Sequence, residues 1–348
     1  LIYFISIKAK RIACVVSAVI FVATSCVSPL TGFAFWETNL AYEGESIYNY
    51  LQVKNLSDRT ILSTNVLFGV QSVTMKDKGL TGMYYDTALA APALADNANS
   101  ALILGMGTGT YARQLKQYYP KMNITGVEID QKITDLAGEY FDEPADIPVT
   151  TYDGRAWLAA SHDKYDVIMV DAYQDITIPF QMSSTEFFTM VREHLNPGGV
   201  MVVNMNMISD GQGSINEALS DTIASVFGNG NTLTADVPNT TNRELFAKKP
   251  GSGSEENSMQ QASKALNLRE TTYERTGSED LEWYMEEVAS RFRKVNEPDS
   301  ASTILTDDKA PVEVLGMHAI DQIIADEAGP YRQILKDESF GDLLRAVQ

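Results

Sequence analysis

The stretch from Ser100 to Asp130 constrains this chain more than any other: S-A-L-I-L-G-M-G-T-G-T, a helical segment, then N-I-T-G-V-E-I-D. The apolar run Ala101 to Leu104 predicts a buried strand. It breaks into Gly105, Gly107 and Gly109, where a backbone without Cβ can turn sharply and approach a ligand closely. A helix is predicted from about Tyr111 to Tyr119. A second apolar strand, Ile124 to Val127, then ends in Glu128 and Asp130. Strand, glycine turn, helix, strand, acid is the βαβ unit of a nucleotide-binding fold, where an acid about 20 residues beyond the glycines grips a ribose hydroxyl. No lysine follows the glycines, so this is not a Walker-type phosphate loop. A dinucleotide would fit the motif as well, which keeps a dehydrogenase in contention on these residues alone.

The 348 residues suffice for one large domain or two smaller ones, and 44% are hydrophobic, so a core can form. A net charge of −19 argues against nucleic acid, whose phosphates would be repelled. An acidic surface suits a cationic substrate or simple solubility. Cys14 and Cys26 both lie in the first apolar stretch, leaving the body without a disulfide or a thiolate metal site. His162, His194 and His318 show no ligand spacing, and no metal is expected.

Lys8, Lys10 and Arg11 precede an uncharged run from Ile12 to Trp36. At ~1.5 Å per residue such a run can cross a ~30 Å hydrocarbon core, and Trp36 suits an interface. Residues 1–36 are expected to be a transmembrane helix or signal anchor, with a cleaved signal peptide as the alternative. The protein is therefore expected to be membrane-anchored. The positive-inside rule would place the large domain outside, at odds with a cytosolic co-substrate. The chain begins at Leu1 rather than Met, as if trimmed from something longer.

Residues 37–82 read as a small β subdomain. Short strands fall within Ile47–Val53, Arg59–Leu62 and Val66–Val73, with turns at Asn55–Asp58 and near Phe68–Gly69. Residues 83–348 read as an α/β domain. It opens with a helix over Met83–Leu94. After Asp130 come a helix (Gln131–Phe141), a strand (Val149–Tyr152), a short helix (Arg155–Ala160) and a nearly continuous apolar strand (Tyr165–Val170), as in a parallel sheet buried on both faces. Helices over Ser184–His194 and Ile215–Phe227 flank a turn at Asn196–Gly199 and a strand at Val200–Met205. Asn231–Asp236 and Glu244–Ala247 form a closing antiparallel pair. A flexible insertion is expected around 249–279, then a charged helix over Asp280–Val295, a T-D-D-K-A-P loop, and a largely helical end from Met317.

In an open parallel sheet, ligands bind beyond the carboxyl ends of the strands. Gly105–Gly109, Glu128, Asp153-Gly154 and Asp171 are all predicted strand ends on one edge. Glu128 could accept from ribose hydroxyls and Asp153 from an adenine amino group. Asp171 would face whatever reacts.

From about Tyr42 to Leu315 the chain resembles the spermidine synthases, or polyamine aminopropyltransferases, within the S-adenosylmethionine-dependent methyltransferase folds. E-S-I-Y-N-Y-L-Q-V resembles the family's first strand, with Asn49 in place of a glutamine. G-V-Q-S, Y-Y-D-T-A-L-A-A-P, L-G-M-G-T-G-T, V-E-I-D, D-G-R, Y-D-V-I-M-V-D, S-S-T-E-F-F, L-N-P-G-G-V and T-D-D-K-A-P-V-E follow its order. The resemblance implies a Rossmann-like class I methyltransferase fold with a mainly parallel sheet. It implies decarboxylated S-adenosylmethionine or S-adenosylmethionine as co-substrate, a diamine such as putrescine as acceptor, no metal, and a homodimer. Asn49, Gly105, Gly107, Gly109, Glu128, Asp153 and Gly154 would hold the nucleoside. Gln71, Tyr84, Tyr173 and Asp175 would bind the amine, and Asp171 would take its proton. There are departures. Thr108 stands where the family has an aspartate, Tyr85 and Asp86 replace other residues, and D-A-Y-Q-D is one residue longer than the family's D-x-x-D. An N-terminal span would further resemble the membrane-fused branch. Aminopropyl transfer is expected. Methyl transfer to another acceptor and non-catalytic nucleoside binding are the alternatives.

Overall fold

The computed structural model describes residues 8–25, 37–65, 70–77, 79–142, 144, 146–172, 178–205, 213–251, 268–300 and 302–318. The chain divides into two compact units, residues 1–71 and 72–348.

In the first unit, α1 spans Lys8–Ser25. Lys10 and Arg11 lie within it, so its uncharged part begins at Ile12 and reaches only about 20 Å, short of the ~30 Å a membrane core requires. Among the described residues no helix is long and apolar enough to cross a membrane, and the expected anchor is unsupported there. The rest of the expected run, 26–36, lies outside the described residues. Strands β1 (Leu40–Glu45), β2 (Tyr50–Asn55) and β3 (Arg59–Thr64) form an antiparallel meander, with Gln52 opposite both Glu43 and Ser63. The β2–β3 turn closes where Leu56 N–H donates to Arg59 O at 2.8 Å. β1, L-A-Y-E-G-E, lacks the apolar alternation that would have predicted it.

The second unit opens with β4 (Ser72–Met75), which overlaps the strand expected at Val66–Val73 only at Ser72 and Val73 and runs on to Met75; residues 66–69 lie outside the described residues. Val73 N–H donates to Thr110 Oγ1 (3.0 Å), whose hydroxyl donates back to Val73 O (2.8 Å). That reciprocal pair ties β4 to the start of the helix after the glycine turn. The helix expected over Met83–Leu94 is two short ones, α2 (Tyr84–Ala88) and α3 (Ala90–Leu94). Pro92 has no N–H to give to Ala88 O, so the ladder breaks between them.

Among the described residues the central sheet has eight strands in the order β12-β10-β11-β9-β8-β5-β6-β7. β5 (Ser100–Leu104), β6 (Asn123–Glu128), β7 (Val149–Thr151), β8 (Tyr165–Val170) and β9 (Leu195–Met205) run parallel. β10 (Thr232–Asp236), β11 (Arg243–Lys248) and β12 (Phe292–Lys294) close the far edge antiparallel. The N-P-G-G segment is the start of β9 and not a separate turn. The pairing of β8 with β9 shifts register there, between Tyr165 and Val167.

Helices α4 (Thr110–Tyr118), α5 (Gln131–Tyr140), α6 (Gly154–Ala160), α7 (Thr185–His194) and α8 (Ile215–Phe227) follow β5, β6, β7, β8 and β9 in turn. α9 (Leu268–Thr276) and α10 (Glu279–Ser290) precede β12. Sheet residues alternate between two buried clusters. Ala101 and Ile103 join one with Tyr111 and Leu115, while Leu102 and Leu104 join the other with Phe187 and Phe188. The result is a Rossmann-like, methyltransferase-like α/β fold with helices on both faces. From β5 the chain winds out to β6 and β7, then returns to β8 on the other side. The topological switch point therefore lies at the carboxyl ends of β5 and β8.

Candidate functional site

Gly105 and Asp171 are the first residues beyond β5 and β8, so they meet at that switch point. Gly105 has φ +89°, and a Cβ there would lie 2.3 Å from Asp171 O. Only glycine can turn the loop this close to the neighbouring strand. Asp171 N–H in turn donates to Leu104 O at 2.9 Å.

The loop's second glycine, Gly107 (φ +56°), donates its N–H to Glu128 Oε2 at 2.8 Å. Glu128 Oε1 accepts from Asp130 N–H at 3.0 Å. The acid at the end of β6 thus clamps the glycine loop to the next turn. It is buried, and burial outweighs these hydrogen bonds to push its carboxyl above the usual glutamate value. Asp130 caps α5 by accepting from Lys132 N–H at 3.0 Å. Asp153 caps α6, accepting from Ala156 N–H at 2.7 Å, and Gly154 is the first residue of that helix.

Asp171 is held from both sides. Tyr84 O–H on α2 donates to its Oδ2 at 2.6 Å, and Asn204 Nδ2 on β9 donates to its Oδ1 at 3.1 Å. Asn204 is itself oriented, accepting from Asn242 Nδ2 at 2.8 Å. Burial raises the Asp171 carboxyl to about 7; the two hydrogen bonds lower it, and the nearby Glu128 charge adds to the rise. The rings of Tyr84 and Tyr85 lie 4.0 Å apart between centroids, and the Asp171 charge acts on both hydroxyls. The Tyr84 hydroxyl is pushed well above its ordinary value by burial and then by Asp171. It therefore stays a proton donor to the carboxylate.

The second unit thus brings Gly105, Gly107, Glu128, Asp171 and Tyr84 into one connected arrangement, with Gly109, Asp153 and Gly154 on the same sheet edge. Asn49 and Gln71 belong to the first unit. There Asn49 Oδ1 accepts from Asn65 Nδ2 at 2.9 Å, and Gln71 N–H donates to Leu62 O at 2.8 Å. Tyr173 and Asp175 lie outside the described residues. Asp86 has a supporting place: it accepts from Thr81 N–H (2.9 Å) and Gly82 N–H (2.7 Å), fixing the turn before α2. Asn204 had no part in the sequence-based site. Its only signal was a polar residue inside the apolar run M-V-V-N-M.

Asp307 of the T-D-D-K-A-P loop takes a bidentate pair from Arg155, at 2.7 and 2.6 Å, and also accepts from Ser184 O–H. This ties the first turn of α6 to the start of α7, and the pairing lowers the Asp307 carboxyl.

A glycine loop clamped by a strand-end acid, beside a buried carboxyl at the switch point, lies at the sheet edge where ligands bind in proteins of the Rossmann-like, methyltransferase-like class. Residues 83–249 match the family described as the spermine/spermidine synthase domain. A Bifidobacterium longum protein named "Probable polyamine aminopropyl transferase" is 99% identical over 348 residues, which is all of this chain and 78% of that one. A Corynebacterium efficiens polyamine aminopropyltransferase is 37% identical over 131 residues, 34% of this chain and 25% of its own length. The crystal structure of a probable spermidine synthase from Corynebacterium glutamicum superposes with a TM-score of 0.54 at 21% identity, covering 77% of this chain and 99% of that one. The chain belongs to the spermine/spermidine synthase family, the polyamine aminopropyltransferases.

Proposed function

We propose that the chain transfers an aminopropyl group from decarboxylated S-adenosylmethionine to a diamine such as putrescine, with Asp171 as the base. The observation that carries this reading is Asp171 itself. It is a buried carboxyl at the switch point, held by Tyr84 and Asn204 and poised at about 7. An amine has a reference pKa near ~10 and reaches the site protonated. A carboxylate beside it can orient it and take the proton as the nitrogen attacks.

The sulfonium co-substrate supplies an activated carbon. The N–C bond forms as the C–S bond breaks, the electron pair goes to sulfur, and a neutral thioether leaves. The nitrogen's proton passes to Asp171 Oδ. Glu128, which already accepts from backbone N–H groups, has acceptor capacity left for a ribose hydroxyl, and Asp153 keeps Oδ2 for the adenine amino group. The glycine loop lets the nucleoside approach the backbone.

The test is methylthioadenosine release from decarboxylated S-adenosylmethionine and putrescine. In the wild type, log kcat should rise with pH and level off near 7, as Asp171 loses its proton. Asp171→Asn should lower kcat about 100-fold or more while leaving nucleoside affinity intact. Turnover of intact S-adenosylmethionine, with putrescine ignored, would favour methyl transfer. Retained nucleoside affinity with no turnover of either would favour a binding domain.

A further inference from the structure

Glu244 on β11 is fully buried at 0% exposure, and neither of its carboxyl oxygens has a hydrogen-bond partner. A buried acid without a partner is costly, and a chain retains one only where something offsets the cost. Its position is defined by register. Glu244 lies directly opposite Asn204 on β9, the residue that donates to Asp171. Asp171, Asn204 and Glu244 therefore form a row across β8, β9 and β11 at one end of the sheet.

All three serve the same face. Two residues along β11 from Glu244, Phe246 packs into the cluster that holds Tyr84, Tyr85 and Tyr111. Glu244 senses the charge of Asp171, and Tyr111 on α4 senses the charge of Glu244. On its other side, β10 places the small Ala235 opposite Glu244. The surroundings among the described residues are thus a carboxyl and an amide on one side and aromatic rings on the same face, and no described cation acts on the Glu244 carboxyl. Two strand spacings of ~4.8 Å separate the Asp171 and Glu244 backbones, and both side chains reach inward from there. Two acids at that interval, with Asn204 between their strands and the aromatic cluster of Tyr84, Tyr85, Tyr111 and Phe246 on the same face, match a short aliphatic chain carrying a cationic nitrogen at each end.

We propose that Glu244 is a specificity-determining residue that holds the distal ammonium of the diamine whose other nitrogen reacts at Asp171. This rests on the aminopropyl-transfer reading. An ammonium brings three donors and no acceptor, which fits two carboxyl oxygens that accept from nothing else, and its charge favours the ionised form of the acid. A monoamine would satisfy Asp171 and leave Glu244 bare, so Glu244 makes the site select two charges over one.

The experiment is calorimetric titration of the full chain with putrescine, with 1-aminobutane and with methylthioadenosine. It compares the wild type, Glu244→Gln and Glu244→Met. The wild type should prefer putrescine to 1-aminobutane by about ten-fold or more. Both variants should lose that preference through weaker putrescine binding, while 1-aminobutane and methylthioadenosine bind as before. Glu244→Met should also melt no lower than the wild type, because it removes an unpaired buried acid. A preference retained in either folded variant overturns the proposal and leaves the aminopropyl reading standing. Equal binding of both amines by the wild type does the same. Loss of folding in both variants marks Glu244 as a structural acid and overturns it too. Methylthioadenosine binding by a wild type that takes neither amine defeats the aminopropyl reading, and the Glu244 assignment falls with it.

Discussion

Both oxygens of Glu128 accept from backbone N–H groups, one in the glycine loop and one in the turn after β6. An amide could accept at only one of these places, and its NH2 would face an N–H at the other. Glu128→Gln should therefore loosen the Gly107 turn and also remove a charged acceptor from the ribose. Nucleoside binding should weaken by about 1.5–3 kcal/mol, roughly 10- to 150-fold, by calorimetry with methylthioadenosine. An unchanged affinity would remove Glu128 from the site. Glu128 and Asp171 were legible in the sequence because each ends an apolar run, and strand ends in a parallel sheet point to the ligand edge. Tyr84 was legible only through family resemblance, because its partner is Asp171, far along the chain. Asn204 stands as a polar break in the apolar run of β9, while Glu244 follows Arg243 at the polar start of β11. Their meaning comes from the pairing of β9 with β11, which periodicity within a single strand cannot supply.

At the scale of elements, Asp153 carries two duties that substitutions can separate. Its Oδ1 starts α6 by accepting from Ala156 N–H, and its other oxygen remains for adenine. Asp153→Ala should lose about 1 kcal/mol of stability with the cap and weaken nucleoside binding as well. Asp153→Asn keeps the cap but turns the second oxygen into a donor. Its melting temperature should match the wild type while its nucleoside affinity falls. If both variants bind as the wild type does, Asp153 is only a cap. The elements themselves were mostly readable, because β5 carries the apolar run Ala101–Leu104, β8 is apolar but for Asp166, and the helices after them are amphipathic. The misses have local causes. The charged segment expected as one helix to Val295 ends at Ser290, and Phe292–Lys294 pairs with β10. An edge strand of three residues whose stability comes from its partner leaves no period-2 pattern to read. The α2–α3 break follows from Pro92, a signal the apolar periodicity of A-L-A-A-P-A-L obscures.

The whole molecule combines a net charge of −19 with several carboxyls whose protons are held by burial. Glu128, Asp171, Asp221 and Glu244 all lie above their ordinary values, burial being the first cause in each, and Asp171 reaches about 7. In the unfolded chain these groups ionise near their reference values of 3.8 and 4.5. As pH rises from about 4 through 7, the folded protein therefore holds protons that the unfolded chain has already released, and stability falls with pH. Asp146, Glu186 and Asp307 lie below their ordinary values through hydrogen bonds to their charged forms. Their contribution is present above about pH 4 and is lost below it, which sets the acid limit. Mutual repulsion of the surface acids adds to the decline on the alkaline side. The melting temperature should thus peak between about pH 4 and 6 and be lower at pH 8. Scanning calorimetry across that range measures it directly. Glu244→Met should flatten the decline by removing one of the proton-holding groups. A melting temperature that stays level from about pH 5 to 8 would mean that these carboxyls ionise in the fold as they do in the unfolded chain. Asp171 would then be a fully charged partner for its amine and not a base poised near neutrality.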